Sequence, residues 1–253
     1  MLQRLVLVTL FITLSSKATA CTKILRWNDD PPFSFISAAH PTLPIGINID
    51  VVREILSEMD CSLELTKMPW ARALEALKAG KIDMVGGAFR TAERDTFALF
   101  SSKDFQSPNR LFQQTAAFDR WQVGALADIE DSEYRLGVQI GVSYSSEFER
   151  LRTRAGFEKQ LVAVNERESL WKMLAMGRID GVIADELTAR AELNSLGLGL
   201  VIGPTDLIVA DAPSYFAFSR ETTSPEFVEA FSELLENMQN DGNFDAILER
   251  YLD

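Results

Sequence analysis

The stretch LKAGKIDMV, residues 77–85, recurs in closely similar form as LAMGRIDGV, residues 174–182. The two copies are offset by 97 residues throughout. Each copy is typical of a helix end, a glycine that stops the helix, a basic residue suited to its negative end, and a short apolar strand. A repeat of this length is too long for a solenoid and predicts two similar α/β lobes of about 100 residues each, with a cleft between them. The alternative is that two unrelated helix-to-strand turns share the same glycine chemistry.

The first twenty residues have the composition of a secretory signal peptide. A charged start with Arg4 precedes an apolar run over 5–14, and the small triplet Ala-Thr-Ala follows at 18–20. The apolar run is shorter than the roughly 18–20 residues that a membrane-spanning helix needs, and no later stretch approaches that length. We therefore expect 1–20 to be removed on export, which gives a periplasmic protein that begins at Cys21.

The charge and composition exclude several classes of partner. The formal charge of the whole chain is −12, and removal of Arg4 and Lys17 with the signal peptide takes it to −14. So acidic a surface repels nucleic acid and anionic lipid, and no basic patch suited to a phosphate backbone occurs. The single histidine, His40, belongs to no Cys/His cluster. We expect a small-molecule ligand and no metal, cofactor or nucleic acid.

Two cysteines, Cys21 and Cys61, lie in the exported part of the chain. Each precedes or opens a predicted strand, and the intervening helix makes these strands parallel neighbours that start at the same edge of a sheet. We therefore predict a Cys21–Cys61 disulfide in an oxidising compartment. The alternative is lipidation of Cys21, which favours leucine three positions upstream. Ala18 occupies that position, and lipidation would leave Cys61 unpaired.

Strand and helix patterns alternate twice in the same order, which predicts α/β lobes with mostly parallel sheets. Two strands, near 110 and near 213, are expected to cross between the lobes, so that the helices at 225–240 and 244–251 return to the first lobe. This double crossover makes a hinge. The expected boundaries are 21–110 and 214–253 for the first lobe and 111–213 for the second.

Seven short motifs span essentially the whole mature chain. They are Asp30-Pro31-Pro32-Phe33, Gly46 to Val51, Leu74 to Asp83, Thr91 to Arg94 followed by Phe100-Ser101, Gly137 to Gly141, Gly177 to Glu186, and Asp241-Gly242. In these motifs and their order the chain resembles the family 3 periplasmic solute-binding proteins that serve polar amino acid uptake. The resemblance implies a type II periplasmic binding fold.

The resemblance also implies that Arg94 grips the α-carboxylate of a ligand and that Asp185 holds its α-ammonium group. The chemistry agrees, because a guanidinium offers paired donors to a carboxylate and an acidic side chain neutralises a cation. Both residues follow a strand of the repeated unit, at the edge where open parallel sheets bind ligands. The alternatives are that Arg94 is a solvated helix residue and that Asp185 only caps the helix at 186–195.

Other ligand-binding candidates depart from the residue types usual in the resembling family. Gly87 replaces a small hydroxyl residue, and Phe89 stands where serine or threonine is usual. Val142 and Ser143 lie in a turn at a helix N-terminus, where free N–H groups favour a carboxylate. Asp30 stands where an aromatic side chain often stacks on the ligand. These departures leave the identity of the ligand open.

Three further candidates lie at the edge of the expected cleft. Trp70 could cover the apolar part of a ligand, and Arg72 could bind a second carboxylate. The alternative is that Trp70 packs in the core and Arg72 is solvated. Phe33 is expected in the core or in the wall of the cleft.

Three functions fit these patterns. The first is capture of a small zwitterionic or anionic solute, above all an amino acid, by a monomer that presents it to an ABC permease; a soluble sensor feeding a receptor is a variant of it. The second is a cyclohexadienyl dehydratase-like enzyme of the same fold, with Asp30, Asp185 or Glu186 as acid or base. The third is an acidic interaction module without a small ligand. We expect the first, without catalysis, because no nucleophile–base pair occurs.

Overall fold

A computed structural model describes residues 21–252, so the expected signal peptide at 1–20 lies outside the described residues. Within 21–252, no helix is both long enough and apolar enough to cross a membrane. The fold contains two five-stranded sheets and a small hairpin.

The chain begins with the elements of the first sheet and its helices. They are β1 (Cys21–Trp27), β2 (Phe35–Ser37), β3 (His40–Ile45), α1 (Ile47–Glu58), β4 (Cys61–Lys67), α2 (Trp70–Lys78), β5 (Met84–Ala88), a short 3₁₀ turn at Arg94–Thr96, and β6 (Ala98–Lys103).

The second sheet and its helices follow. They are β7 (Asn109–Gln114), 3₁₀ turns at Thr115–Ala117 and Leu126–Ile129, β8 (Leu136–Gln139), α3 (Ser146–Leu151), α4 (Ala155–Glu158), β9 (Leu161–Val164), α5 (Arg167–Ala175), β10 (Gly181–Asp185), α6 (Glu186–Ser195) and β11 (Ile202–Ala210). The chain then returns to the first sheet with β12 (Tyr215–Ser219), α7 (Pro225–Asn240) and α8 (Asn243–Leu252).

The two sheets have matching strand orders. The first is β4-β1-β5-β12-β6, and the second, read from the equivalent edge, is β9-β8-β10-β7-β11. We call the first sheet with its packed helices the first lobe and the second sheet with its helices the second lobe. The predicted two-lobed α/β fold is confirmed. The sheets are more mixed than the strand–helix alternation indicates, because β12 and β7 each run antiparallel to both neighbours.

The repeated sequence forms the same local structure in both lobes. Gly80 and Gly177 follow their helices at φ values of 65° and 66°, in the left-handed region that glycine adopts without strain. Asp83 accepts a hydrogen bond from the backbone N–H of Ile24 at 2.8 Å, and Asp180 accepts the equivalent bond from Arg135 at 2.9 Å. Each repeat therefore ties its strand to the parallel neighbour of that strand, which is β1 in the first lobe and the start of β8 in the second.

Each lobe has its own apolar core. In the first lobe, the rings of Phe216 and Phe218 on β12 pack edge to face against Phe231 of α7. In the second lobe, Phe112 of β7 packs against the fully buried Trp171 of α5. Strand β12 thus packs against α7 in the first lobe, and β7 packs against α5 in the second.

The predicted disulfide is confirmed. Strands β1 and β4 pair in parallel with Cys21 opposite Cys61, and their sulfur atoms are bonded. Because the Cys21 sulfur is used in this bond, no free thiol remains at Cys21 for lipidation.

Three local predictions differ from the structure. The stretch at 41–46, whose two prolines are typical of an irregular loop, contributes to β3, which pairs with β2 in a hairpin. The helix expected at 143–154 is shorter. Helix α3 covers only 146–151 and begins where Ser145 caps it by accepting a hydrogen bond from the N–H of Phe148; a separate helix, α4, follows at 155–158. The strand β11 was not predicted from the sequence.

The two crossings between the lobes lie side by side. The backbone N–H of Asp104 donates to the carbonyl of Ser214 at 2.8 Å, and the N–H of Ser214 donates to the carbonyl of Phe105 at 2.7 Å. The Asp104 carboxyl is only 4% exposed, and neither of its oxygens has a hydrogen-bond partner in the described part of the chain. Burial raises the pKa of Asp104 to about 7.

Replacing Asp104 with asparagine should stabilise the protein above neutral pH. The folded state holds the Asp104 proton up to about pH 7 whereas the unfolded state loses it near pH 4, so wild-type stability falls as pH rises between these values. We expect Asp104→Asn to raise the free energy of unfolding by roughly 2–4 kcal/mol at pH 8 and to change it little at pH 4. Urea unfolding at both pH values measures this. The exposed Asp119→Asn is the control, and an equal effect of both variants would contradict the assignment.

Candidate functional site

A cavity of about 160 Å³ lies between the two lobes. This is roughly ten times the space that one water molecule needs, so it accommodates a small solute. Nine of the ten ligand-binding candidates line it, namely Asp30, Phe33, Trp70, Gly87, Phe89, Arg94, Val142, Ser143 and Asp185. The tenth, Arg72, is exposed and is not part of the cavity wall.

Arg94 opens the 3₁₀ turn before β6 and is only 6% exposed, so it is not the solvated residue of the alternative interpretation. Its guanidinium donates to the carbonyl of Phe89 at 2.7 Å and to the carbonyl of Gly141, in the second lobe, at 3.2 Å. It forms no ion pair with any residue that the structure describes, and it lies 5.7 Å from the centre of the Trp70 ring. Burial lowers the pKa of Arg94, as expected for a cation away from water.

Asp185 ends β10 and caps α6. One carboxylate oxygen accepts a hydrogen bond from the backbone N–H of Thr188 at 2.9 Å, which confirms the capping interpretation. Asp185 also lines the cavity, and no Arg, Lys or His in the described range forms an ion pair with it. The negative charge of Asp185 is therefore not compensated by a basic side chain of the described residues, although Asp185 caps α6.

Asp30 is held between two arginines. One oxygen accepts from Arg26 of β1 at 3.0 Å, and the other accepts from Arg167 of the second lobe, also at 3.0 Å. Burial alone would raise the pKa of Asp30, but the two guanidinium groups outweigh it and hold the pKa below its ordinary value. Arg167 is paired in turn with Glu192 of α6 through two bonds of 2.8 Å.

The lobes touch each other around the cavity. Besides the bonds of Arg94 and Arg167, the indole N–H of Trp70 donates to the carbonyl of Gly141 at 3.0 Å. Gly141 has φ 80°, and a Cβ there would approach the backbone of Ala71 to 3.1 Å. Asn28 donates to Glu166 at 3.0 Å across the same gap. The cavity therefore lies between two surfaces that are already in contact.

Sequence reasoning missed several residues of the cavity wall, including Arg26, Asn48, Ser107 and Arg167. One available signal in the sequence was Arg26, a charged residue between the apolar Leu25 and Trp27 of β1. In the structure, a Cβ added at Gly86 would lie 2.6 Å from the Asn48 side-chain nitrogen. The Asn48 amide therefore packs directly against Gly86 and lies near Gly87. No group of acidic, histidine or cysteine side chains in the described range could hold a metal ion.

Residues 24–253 match the family described as bacterial extracellular solute-binding proteins, family 3. The match covers nearly the whole chain, and the chain belongs to this family. Its two-lobed fold and its cavity between the lobes agree with this assignment.

Curated relatives are distant but extend over most of the chain. A probable histidine-binding protein of Campylobacter jejuni is 21% identical over 234 residues, which cover 87% of this chain and 80% of that protein. The lysine/arginine/ornithine-binding periplasmic protein of Escherichia coli K12 is 23% identical over 216 residues, which cover 83% of this chain and 79% of that protein.

Solved structures share the fold at similarly low identity. An ancestral arginine-binding protein bound to arginine has a TM-score of 0.77 and 22% identity, covering 92% of this chain and 98% of that one. A histidine kinase sensor domain has a TM-score of 0.78 and 21% identity, covering 92% and 96%. An ancestral amino acid-binding protein described as a precursor of cyclohexadienyl dehydratase has a TM-score of 0.73 and 21% identity. This match covers 92% of this chain and 96% of that one.

The buried ion pairs of Asp30 should contribute strongly to stability. We expect Asp30→Asn to lower the free energy of unfolding by roughly 3–5 kcal/mol at pH 7, because it leaves buried guanidinium groups undercompensated. The folded-state pKa of Asp30 lies below its ordinary value of 3.8. The stability that ionised Asp30 contributes is therefore fully present above pH 3.8 and is lost as pH falls through the folded-state pKa. Urea unfolding at pH 7 and at a series of lower pH values measures both effects.

The matched control is Asp29→Asn. Asp29 is the neighbouring carboxylate and is exposed, with an ion pair to Lys67 at the surface. Exposed pairs contribute about 0–1 kcal/mol, so this variant should change stability little. Equal destabilisation by the two substitutions would show that the ion pairs of Asp30 contribute no more to stability than an exposed ion pair does.

Proposed function

We propose that this protein captures a free α-amino acid between its two lobes in the periplasm and presents it to an ABC-type permease. The observation that carries the proposal is the pair of unpartnered charges in the cavity wall. Arg94 and Asp185 line the cavity without an ion-pair partner among residues 21–252, whereas Asp30, Arg26 and Arg167 compensate one another. One free cation and one free anion match the carboxylate and ammonium groups of a zwitterion.

The position of these charges explains why a ligand would favour the closed arrangement. Arg94 belongs to the first lobe and Asp185 to the second. A ligand that bridges both gains its full set of contacts only when the lobes approach each other, so binding shifts the population toward closure. The paired crossings at Asp104 and Ser214 are the segments about which such a motion would occur.

The family and several sequence features support the proposed location and partner. The disulfide suits an oxidising compartment, and the segment at 1–20 has the pattern of an export signal. Both reported relatives are named for amino acid binding, and one is named as periplasmic. A permease partner is proposed from family membership.

The alternative of a dehydratase-like enzyme has weaker support. Such an enzyme needs a carboxyl group in the cavity that can donate a proton near neutral pH. The low pKa of Asp30 keeps that group ionised, and Glu186 accepts a hydrogen bond from Arg110 at 2.9 Å. Incubation with prephenate or arogenate tests this alternative, and an aromatic product would establish it. The sensor alternative shares the binding chemistry and differs only in the partner.

Removal of the Arg94 guanidinium should abolish tight binding. A calorimetric and thermal-shift survey of the common amino acids should find a ligand that, at 100 times its Kd, stabilises the wild type by about 2.7 kcal/mol. Arg94→Ala should weaken that ligand by about 30- to 1,000-fold, because a buried charge-assisted contact is lost. The exposed Arg90→Ala is the control. If no amino acid binds the wild type, the proposed function is wrong.

Replacing Asp185 with asparagine separates binding from helix capping. Asparagine keeps an oxygen that can accept from the Thr188 N–H and caps helices about as well as aspartate, but it carries no charge. We expect Asp185→Asn to retain the wild-type melting temperature without ligand within about 2 °C, a shift of under 1 kcal/mol, and to lose at least tenfold in affinity. Unchanged affinity would mean that Asp185 acts only as a cap.

A further inference from the structure

One backbone carbonyl of the second lobe accepts hydrogen bonds from two side chains of the first. The indole N–H of Trp70 donates to the Gly141 carbonyl at 3.0 Å, and the Arg94 guanidinium donates to the same oxygen at 3.2 Å. A carbonyl oxygen has two lone pairs, so these donors use its full capacity. Both donors belong to the first lobe and Gly141 follows β8 of the second, so both bonds break when the lobes separate.

The backbones of the two lobes approach each other closely at the same point. A Cβ added at Gly141 would lie 3.1 Å from both the Cα and the Cβ of Ala71 and 3.5 Å from its backbone nitrogen. Carbon atoms in favourable contact are about 3.5–4.0 Å apart, so a side chain at 141 requires the lobes to shift. The φ of Gly141, 80°, also lies in the left-handed region that glycine adopts without strain. Glycine at 141 therefore permits this contact.

The Ala71–Gly141 contact differs from the other contacts across the gap. Neither residue lines the cavity, and both keep some exposure at its rim. Asp30 and Arg167 line the cavity, so a change to their ion pair also changes the surface that a ligand meets. Glu166 accepts a further bond across the gap but is exposed, so water can replace that bond. The contact at Gly141 can thus be altered without changing a side chain of the cavity wall.

We propose that Gly141 is a positioning residue for closure, whose carbonyl and missing side chain set how closely the lobes meet and therefore how tightly a ligand is held. The bond to Arg94 adds a second effect, because that guanidinium is the proposed partner of the ligand carboxylate. The Phe89 carbonyl of the first lobe and the Gly141 carbonyl of the second orient it together. This inference rests on the proposed function and concerns the control of closure at that site.

Substitution of Gly141 tests the proposal directly. The probes are the common L-amino acids, tested one at a time by calorimetry and stopped flow. We expect Gly141→Ala to weaken the amino acid that binds the wild type most tightly by about 10- to 100-fold, because two hydrogen bonds are lost and one comes from a charged group. The loss should appear mainly as faster dissociation. The melting temperature without ligand should fall by only roughly 2–8 °C, through alanine in a left-handed conformation.

Substitution of Ala71 tests the same contact from the first lobe. Isoleucine carries two heavy atoms on its Cβ, so Ala71→Ile should crowd Gly141 and weaken binding by about tenfold. The double variant should lose less affinity than the product of the two single losses, because both substitutions break one contact. The control is Glu75→Ile, at an exposed position of α2 outside the cavity wall, which should bind as the wild type does. Losses that multiply fully would contradict the shared contact.

The outcomes separate this inference from the proposed function. If an amino acid binds the wild type and the folded Gly141→Ala and Ala71→Ile variants equally tightly, the proposed function stands and the positioning role is wrong. If no amino acid binds the wild type, the proposed function is wrong, and small-angle X-ray scattering tests the contact alone. Both variants should then have a larger radius of gyration than the wild type, and equal radii would overturn the inference.

Discussion

The ion pair between Asp30 and Arg167 joins the two lobes across the cavity, and much of the site is organised around it. Arg167 is anchored by Glu192, and Asp30 is anchored by Arg26, so each lobe contributes one acid and one base. Because buried charges are tolerated only when paired, each member fixes the position of its neighbours. The cluster therefore forms a nearly neutral part of the wall, and Arg94 and Asp185 are lining charges without an ion-pair partner among residues 21–252.

The two lobes use one architectural unit for two chemical purposes. In both, a glycine ends the helix and an aspartate, Asp83 or Asp180, ties the following strand to its parallel neighbour, β1 or β8. The chain downstream of that unit differs. In the first lobe the loop after β5 leads to the buried guanidinium of Arg94, and in the second β10 ends at once in Asp185, which also caps α6. The repeated unit thus forms the same scaffold in both lobes. The segments that follow it differ, and they place a cation, Arg94, in one lobe and an anion, Asp185, in the other.

Distance along the chain explains which parts of the structure were predictable. The helices α1, α2, α6 and α7 follow from apolar periodicity and helix-stop residues, and the Cys21–Cys61 bond follows from adjacent parallel strands. The hairpin strand β3 and strand β11 were missed because their proline and alternating polar residues resemble loop composition. The antiparallel placement of β7 and β12 depends on pairing between distant segments, which local patterns do not encode.

The sequence by itself determined the duplicated α/β architecture, the disulfide and nine of the residues that line the cavity, because these depend on local periodicity and on short motifs. Only the tertiary structure decided what those residues do to one another. It brought Arg167 against Asp30, 137 positions apart in the chain, and converted a candidate ligand contact into an internal counter-ion. It also excluded Arg72 from the cavity wall. The physical reason is that charge compensation depends on distances between side chains, and folding sets those distances.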